Sequence, residues 1–386
     1  MESPADPQAS AQQPLLHVAA DNAESQSDPP PLRHRVFYSA PQPSAEFGEE
    51  YDERAAQWFE LFVDLILVVA WSNVTDALYE SEQGILFSLF LFWLTMNLVL
   101  CAWGMYVQYQ TRFVDESFLH TVRLFVFILG LAGMAIHVGD AEFATEFSVA
   151  MILQKMPLIA MFSGAALSSK RVRGHMGFLA CLLAASAIPC VAVVFIQPRE
   201  YTFFVLGAWT LVVALELPAS LYVVCAGVVG LIPRHGVVAI NIDHIVDRQN
   251  AFIMIALGES LLSSMIKYGS LPAAARTTAF YACMSLVLLM AFSIGLMYYN
   301  VQPPREMSAY RRSHARGFLV YFATCALTCG ILLVSVGVKH CMHSTIAAGG
   351  ELSTGHAWLL HGSLVLVLHS IFRLRFGHYF NWSYSP

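Results

Sequence analysis

The chain has 386 residues, of which 57% are hydrophobic and only 12% are charged, and its net charge is −6 at pH 7. Soluble domains carry about 25% charged residues on average, so this composition excludes an ordinary water-soluble domain of the same length. No basic domain stands out, and we therefore expect no nucleic acid among its partners. The eight cysteines have neither CxxC nor zinc-ligand spacing, so we expect no metal, cofactor or disulfide framework.

The first 55 residues are rich in Pro, Ser, Ala and Gln and poor in aromatic residues. Such a segment cannot bury enough apolar surface to fold, so residues 1–55 are predicted to form a disordered cytoplasmic tail. A transmembrane domain is predicted at 56–375. A short cytoplasmic C-terminal tail is predicted to follow it at 376–386.

Long apolar runs recur from residue 59 to residue 372, and they are too long and too uniform for barrel strands. A helix satisfies its own backbone hydrogen bonds in lipid, so each run predicts a membrane-spanning helix. The predicted fold class is all-α: a polytopic transmembrane helical bundle in an integral, multi-pass membrane protein. The ten predicted spans lie at about 58–78, 84–107, 118–138, 144–168, 175–196, 202–230, 249–268, 277–299, 316–338 and 356–372.

The basic residues between these spans predict the orientation of the chain. With ten spans, most of the 21 Lys and Arg residues fall on the side that holds both termini, and the positive-inside rule makes that side the cytoplasm. Splitting 202–230 into two spans would send the basic cluster at 305–316 outside, so one long, tilted helix is favoured there. On the other side lie Arg199, Lys267, Arg276 and Lys339.

The run at 58–73, in the first span, carries two carboxylates. A charge at bilayer depth costs about 2.5–3.5 kcal/mol or more. Glu60 and Asp64 share one face because residues four apart are neighbours on a helix. Asp64 lies about 9 Å from the start of the run, where its short side chain cannot reach the surface. Asp64 is therefore predicted to face the bundle interior, whereas Glu60 is near enough to the edge to snorkel.

The seventh span carries a second set of polar residues. Glu259 lies about 15 Å into this span, close to the bilayer midplane. Arg248 precedes it by a spacing that returns to the same helix face at about 100° per residue. His244 and Ser263 extend this stripe, which predicts a polar line from the cytoplasm to the middle of the membrane.

Three further candidate charges lie well inside predicted spans. Lys155 in the fourth span and Arg123 in the third are interpreted mainly as structural ion-pair partners. Glu216 lies midway along the sixth span, where Pro218 frees the carbonyl of Ala214 and should kink the helix. A freed carbonyl beside a carboxylate suits a cation or proton site, although a kink filled by water explains the same pattern.

Two stretches carry a family resemblance. WFELFVDL at 58–65 resembles the W-x-E-L-F-x-D-L signature that opens the bacterial low temperature requirement A (LtrA) family, and DHIVDR at 243–248 with IALGES at 255–260 resembles its second signature. Lys155 stands where the family tends to carry Arg, and Gln249 and Asn250 replace an aromatic-glycine pair. The resemblance covers most of 57–375 and implies a multi-pass helical membrane protein, but it implies no substrate.

Three functions remain open, and the favoured one is a transporter or channel-like protein. In that reading buried carboxylates couple a proton or cation to the movement of an unknown small solute or ion, since a carboxylic acid in a low dielectric can exchange a proton near neutrality. The candidate coupling residues are Glu60, Asp64, Glu259 and Glu216. Their candidate charge partners are Arg123, Lys155, His244 and Arg248.

The second function is a structural, sensory or scaffold membrane protein whose intramembrane charges hold helices together. The third is a membrane-embedded enzyme in which Glu60, Asp64, His244 and Glu259 bind a metal or act as acid and base. The sequence has no HExxH, GxSxG or paired DxD motif, so we expect no enzyme and no catalytic residues. The expected partner is the lipid bilayer, and the sequence leaves a homo-oligomer open.

Overall fold

A computed structural model describes residues 37–43, 58–82, 84–115, 117–138, 143–197, 203–229, 240–269, 277–346 and 352–380. Within these ranges the chain forms eleven α-helices. The first six are α1 (Trp58–Tyr79), α2 (Ile85–Gln110), α3 (Phe118–His137), α4 (Ala144–Ser168), α5 (Arg173–Ile196) and α6 (Phe203–Val229). The others are α7 (Ile242–Gly269), α8 (Thr278–Val301), the short α9 (Ala309–Arg312), α10 (His314–Ile346) and α11 (Thr354–Tyr379).

Side-chain caps fix where three of these helices begin. The hydroxyls of Ser117, Thr277 and Ser353 each accept a hydrogen bond from the backbone N–H three residues later. An N-cap of this kind satisfies one of the backbone donors that the first helical turn leaves unpaired. The starts of α3, α8 and α11 therefore follow from local sequence.

The outer surface of the bundle is apolar. On α8, for example, Leu286, Leu289 and Phe292 are 63%, 58% and 62% exposed. The ionisable residues Glu60, Asp64, Lys155, Glu216, Arg248 and Glu259 are instead all 2% exposed or less. A soluble protein has the opposite arrangement, whereas in lipid an apolar exterior and internal charges are the low-energy solution.

Eight helices in the described ranges are long and apolar enough to cross a membrane. They are α1 to α5, α8, the Ala315–Ser344 part of α10, and α11. The described apolar part of α6, Phe203–Ala219, is shorter, and α7 carries Asp243, Asp247, Arg248 and Glu259. The all-α membrane bundle predicted from sequence is confirmed. The count of ten spans and the side of each terminus stay predictions, although the described part of the stretch predicted at 202–230 forms one helix, Phe203–Val229.

Close helix contacts depend on glycine at two crossings. A Cβ at Gly130 of α3 would overlap the backbone of Gln154 on α4. A Cβ at Gly337 of α10 would lie 2.9 Å from the Cα of Leu360 on α11. Small residues allow this approach where apolar side chains gain nothing by leaving lipid. α7 packs against α1, α8 and α10, so its polar stripe is enclosed by three helices.

Two described features lie at the ends of the predicted transmembrane domain. Within the predicted disordered tail, β1 (Gln42–Pro43) pairs antiparallel with β2 (Phe113–Val114) in the segment after α2. The Phe37 carbonyl accepts a hydrogen bond from the Leu119 backbone N–H at 3.1 Å. This hydrogen bond and the strand pair join residues 37–43 to the segment between the end of α2 and the start of α3. The last helix continues to Tyr379, past the predicted boundary at 375.

Candidate functional site: buried charges between α1 and α7

The contact between α1 and α7, here called the α1–α7 seam, brings together most of the sequence-predicted site residues. Its α1 residues include Glu60 and Asp64, and its α7 residues include His244, Arg248 and Glu259. Glu60 faces His244 and Asp64 faces Arg248. Both pairs advance by four residues in the same direction, so the two helices run parallel and repeat the contact once per turn.

The first layer of the seam is a close contact between an acidic and a basic side chain. Oε2 of Glu60 lies 3.3 Å from Nε2 of His244, and both side chains are buried. Neither side chain makes a hydrogen bond of good geometry with another described residue. Both side chains therefore keep buried polar atoms that no described hydrogen-bond partner satisfies.

The second layer is a carboxylate, Asp64, whose two oxygens both accept hydrogen bonds. Arg248 donates from Nη1 to Oδ2 of Asp64 at 2.9 Å and from Nη2 to Oδ1 at 2.8 Å. The indole N–H of Trp103 on α2 donates to Oδ1 at 3.0 Å. A bidentate guanidinium with a third donor is among the strongest arrangements available to a buried carboxylate. This layer therefore ties α1, α2 and α7 together.

An aromatic layer, formed by Trp71, Phe252 and Trp103, follows one turn beyond Arg248. The Phe252 ring stacks on Trp103 with centroids 4.1 Å apart and meets Trp71 edge-on at 4.6 Å. All three rings are buried. The Trp71 indole N–H, which has no acceptor among the described residues, is the polar atom that this layer leaves unsatisfied.

Glu259 lies beyond the aromatic layer. It is 1% exposed, and neither carboxylate oxygen has a partner of good hydrogen-bond geometry among the described residues. The Ser72 hydroxyl of α1 and the charges of Asp76 and Lys339 are close enough to interact with it. The side chain of Ser263, which was predicted to extend this stripe, lies outside the described part of the structure.

The far end of α1 holds an ion pair that the sequence did not single out. Nζ of Lys339 on α10 donates to Oδ1 of Asp76 at 2.7 Å. The lysine side chain is 1% exposed and the aspartate side chain is 45% exposed. Lys339 was predicted to lie outside the spans, and Asp76 was not among the predicted site residues. Their opposite charges at the ends of two apolar runs were the available signal.

Lys155 and Glu216 form a separate cluster away from the seam. The Lys155 ammonium bonds directly to a carboxylate oxygen of Glu216, and the Ser186 hydroxyl bonds to the same oxygen. These residues come from α4, α6 and α5, and a proline follows each within three residues: Pro157, Pro218 and Pro189. Glu216 thus meets a cation of the protein itself. The serine was missed because nothing local marks it.

Arg123 is not brought to either cluster. It is partly buried on α3, and no described carboxylate forms an ion pair with it. A Cβ built at Gly164 of α4 would lie 3.9 Å from the Nη1 atom of Arg123. The expected pairing of Arg123 with a seam carboxylate is therefore absent from the part of the chain that the structure describes.

The donor set of the seam also bears on metal binding. Within the described ranges, no three His, Cys, Asp or Glu side chains converge closely enough to hold a metal ion. Glu60 and His244 make one layer, Asp64 is engaged by Arg248 and Trp103, and Glu259 lies beyond the aromatic layer. The metal ligand set considered from sequence is thus divided among separate layers.

Apolar helices that enclose charges and present a lipid-compatible exterior define an integral, multi-pass membrane protein. The family model of the bacterial low temperature requirement A protein (LtrA) matches residues 55–385, and the chain belongs to this family. This match confirms the resemblance carried by 58–65 and 243–260. No match was found among curated proteins or among solved structures.

Proposed function

We propose that the chain is a non-enzymatic transporter or channel-like protein that moves a proton or cation along the α1–α7 seam. The observation that carries this proposal is the line of buried carboxylates Glu60, Asp64 and Glu259 on two parallel helices. Ionisable groups inside a membrane domain are costly, and an ion pathway is a common reason to keep them. The proposed partners are the lipid bilayer and a small solute or ion.

The ionisable residues have different roles in the proposed transport. Glu60 and Glu259 keep carboxylate oxygens without good hydrogen bonds, so they are the groups able to take up an ion. Asp64 is already bound by Arg248, so its part is to hold the helices in register or to exchange partners during the cycle. Lys155 and Glu216 neutralise each other and support the neighbouring helices.

Ion flux in liposomes tests the proposal. The full chain is reconstituted with a pH dye inside the vesicles, and a potential is imposed with potassium and valinomycin. We expect wild type to conduct protons and Glu259→Gln to lose the flux. Glu146→Gln, which makes the same change at an exposed position of α4, is the matched control. Unchanged flux in Glu259→Gln would contradict the proposal.

A second candidate function is a structural or sensory membrane protein with its charges as helix contacts. The full set of hydrogen bonds to Asp64 and the direct Lys155–Glu216 pair favour it, because both clusters join three helices. It predicts no flux under any condition. It also predicts that neutralising both members of a pair restores the stability lost when one is changed.

A further inference from the structure

We propose that the ion bound in the α1–α7 seam is a proton held at Glu259, and that in this conformation the aromatic layer closes the route from Glu259 to Asp64, so that transport along the seam requires the layer to open. The transport step rests on the function proposed above. The proton site itself can be tested without any transport.

The surroundings of Glu259 suit a proton and do not suit a metal cation. Hard metal cations take about six to eight oxygen ligands. The described oxygen groups that act on Glu259 are the Ser72 hydroxyl and the Asp76 carboxylate, and no three metal-binding side chains converge in the described ranges. A proton needs one oxygen: on loading, an O–H bond of hydronium breaks and an O–H bond forms at the carboxylate, and on release the proton returns to water.

The backbone adds no ligands at this depth. Membrane cation sites recruit carbonyls where a helix is broken. α1 and α7 run without interruption over Trp58–Tyr79 and Ile242–Gly269, and neither contains proline. Their carbonyls near Ser72 and Glu259 are therefore engaged in the helices themselves.

Glu216 lies beside a break in helix hydrogen bonding, but its carboxylate already has a partner. Pro218 lies two residues after Glu216 and removes one backbone donor from α6. The Lys155 ammonium and the Ser186 hydroxyl fill the position that a cation would take at Glu216. A metal cation at Glu216 would have to displace a buried lysine, so the seam is the better ion site.

Charged groups reach Glu259 from the end of the bundle opposite Glu60. Asp76 of α1 and Lys339 of α10 both act on it. α8, which also packs against α7, has no Asp, Glu, Lys, Arg or His between Thr278 and Val301. Because the Asp76 side chain is 45% exposed, the Asp76–Lys339 pair connects the site to the surface at that end.

The aromatic layer separates Glu259 from the carboxylate of Asp64. Along α7, Phe252 lies about 6 Å beyond Arg248 and about 10 Å before Glu259. Its ring is buried between Trp71 and Trp103. A layer of packed rings excludes the water that would relay a proton between the two carboxylates.

Infrared spectroscopy of the full chain in lipid tests the proton site. The carbonyl stretch of a protonated carboxylic acid is followed as pH falls, in wild type, Glu259→Gln and Glu146→Gln. We expect a titrating band that Glu259→Gln loses and Glu146→Gln keeps, and that sodium or potassium leaves unchanged at fixed pH. Absence of a Glu259-dependent band, or its loss when a metal cation is added, overturns the proposal.

These outcomes separate the two proposals. A Glu259 band without flux supports the proton site and removes the transport function. Flux that follows a sodium or potassium gradient, together with no Glu259 band, supports transport and overturns the proton site.

Proton leak tests the barrier. Phe252→Ala opens the layer and should raise leak through reconstituted protein several-fold, whereas Phe292→Ala at a lipid-facing position of α8 should not. If Phe252→Ala does not fold, Phe252→Leu makes a smaller opening and should raise leak less. Leak unchanged in a folded Phe252 variant overturns the barrier.

Discussion

Arg248 binds both carboxylate oxygens of Asp64, at 2.9 and 2.8 Å, across 184 positions of sequence. Both residues are almost completely buried, and Trp103 completes the set of donors. This contact lies one helical turn from the contact between His244 and Glu60. The bidentate pair therefore helps to hold α1 and α7 in the register that brings both pairs together.

Breaking that pair should destabilise the bundle strongly. Asp64→Asn or Arg248→Met alone leaves a buried group uncompensated, so each should lower the free energy of unfolding by about 3–5 kcal/mol. The double variant should recover much of the loss. Unfolding in mixed micelles measures all three. Single variants within about 1 kcal/mol of wild type would contradict the assigned role.

Trp103→Phe isolates the indole hydrogen bond. It keeps an aromatic ring against Phe252 but removes the N–H that donates to Asp64. A hydrogen bond to a charged group is worth about 1.5–3 kcal/mol, and we expect a loss of stability in that range. Trp93→Phe on the exposed face of α2 is the control and should change little. Equal effects at the two tryptophans would show that the ring and not the donor matters.

Lys155→Met should leave the Glu216 carboxylate buried without its cation. The expected loss is about 3–5 kcal/mol, and Glu216→Gln in the same chain should restore part of it. Thermal unfolding of the two single variants and the double variant measures this coupling. The same change at the exposed Lys170, in the turn between α4 and α5, serves as the comparison. Additive effects of the two changes would argue against a direct pair.

Gly130→Ala should disrupt the crossing of α3 and α4. The added methyl group meets backbone atoms of Gln154, which cannot move aside as a flexible side chain could. Overpacking of this kind costs about 1–3 kcal/mol. Gly177→Ala on α5, where a Cβ meets nothing, should be neutral or slightly stabilising because alanine favours the helix. The melting temperatures of the two variants compare these sites.

The sequence alone determined the class of protein and the residues worth attention. Apolar run length predicts membrane helices because helical backbone is self-satisfied in lipid. Helical spacing also placed Glu60 with Asp64, and Arg248 with Glu259, on common faces, since residues within one helix have fixed relative positions. These inferences need only local geometry.

Partners on different helices were decided by tertiary structure. Lys155 meets Glu216 rather than a seam carboxylate, Arg123 meets no described carboxylate, and Trp103 supplies a donor to Asp64. Several oppositely charged side chains are possible partners for each ionisable residue, and the rotation and depth of its helix decide which of them it contacts. Helix rotation and depth are in turn set by packing along the whole bundle, including close approaches such as that at Gly130. No short stretch of sequence contains that information, because it depends on contacts between distant segments.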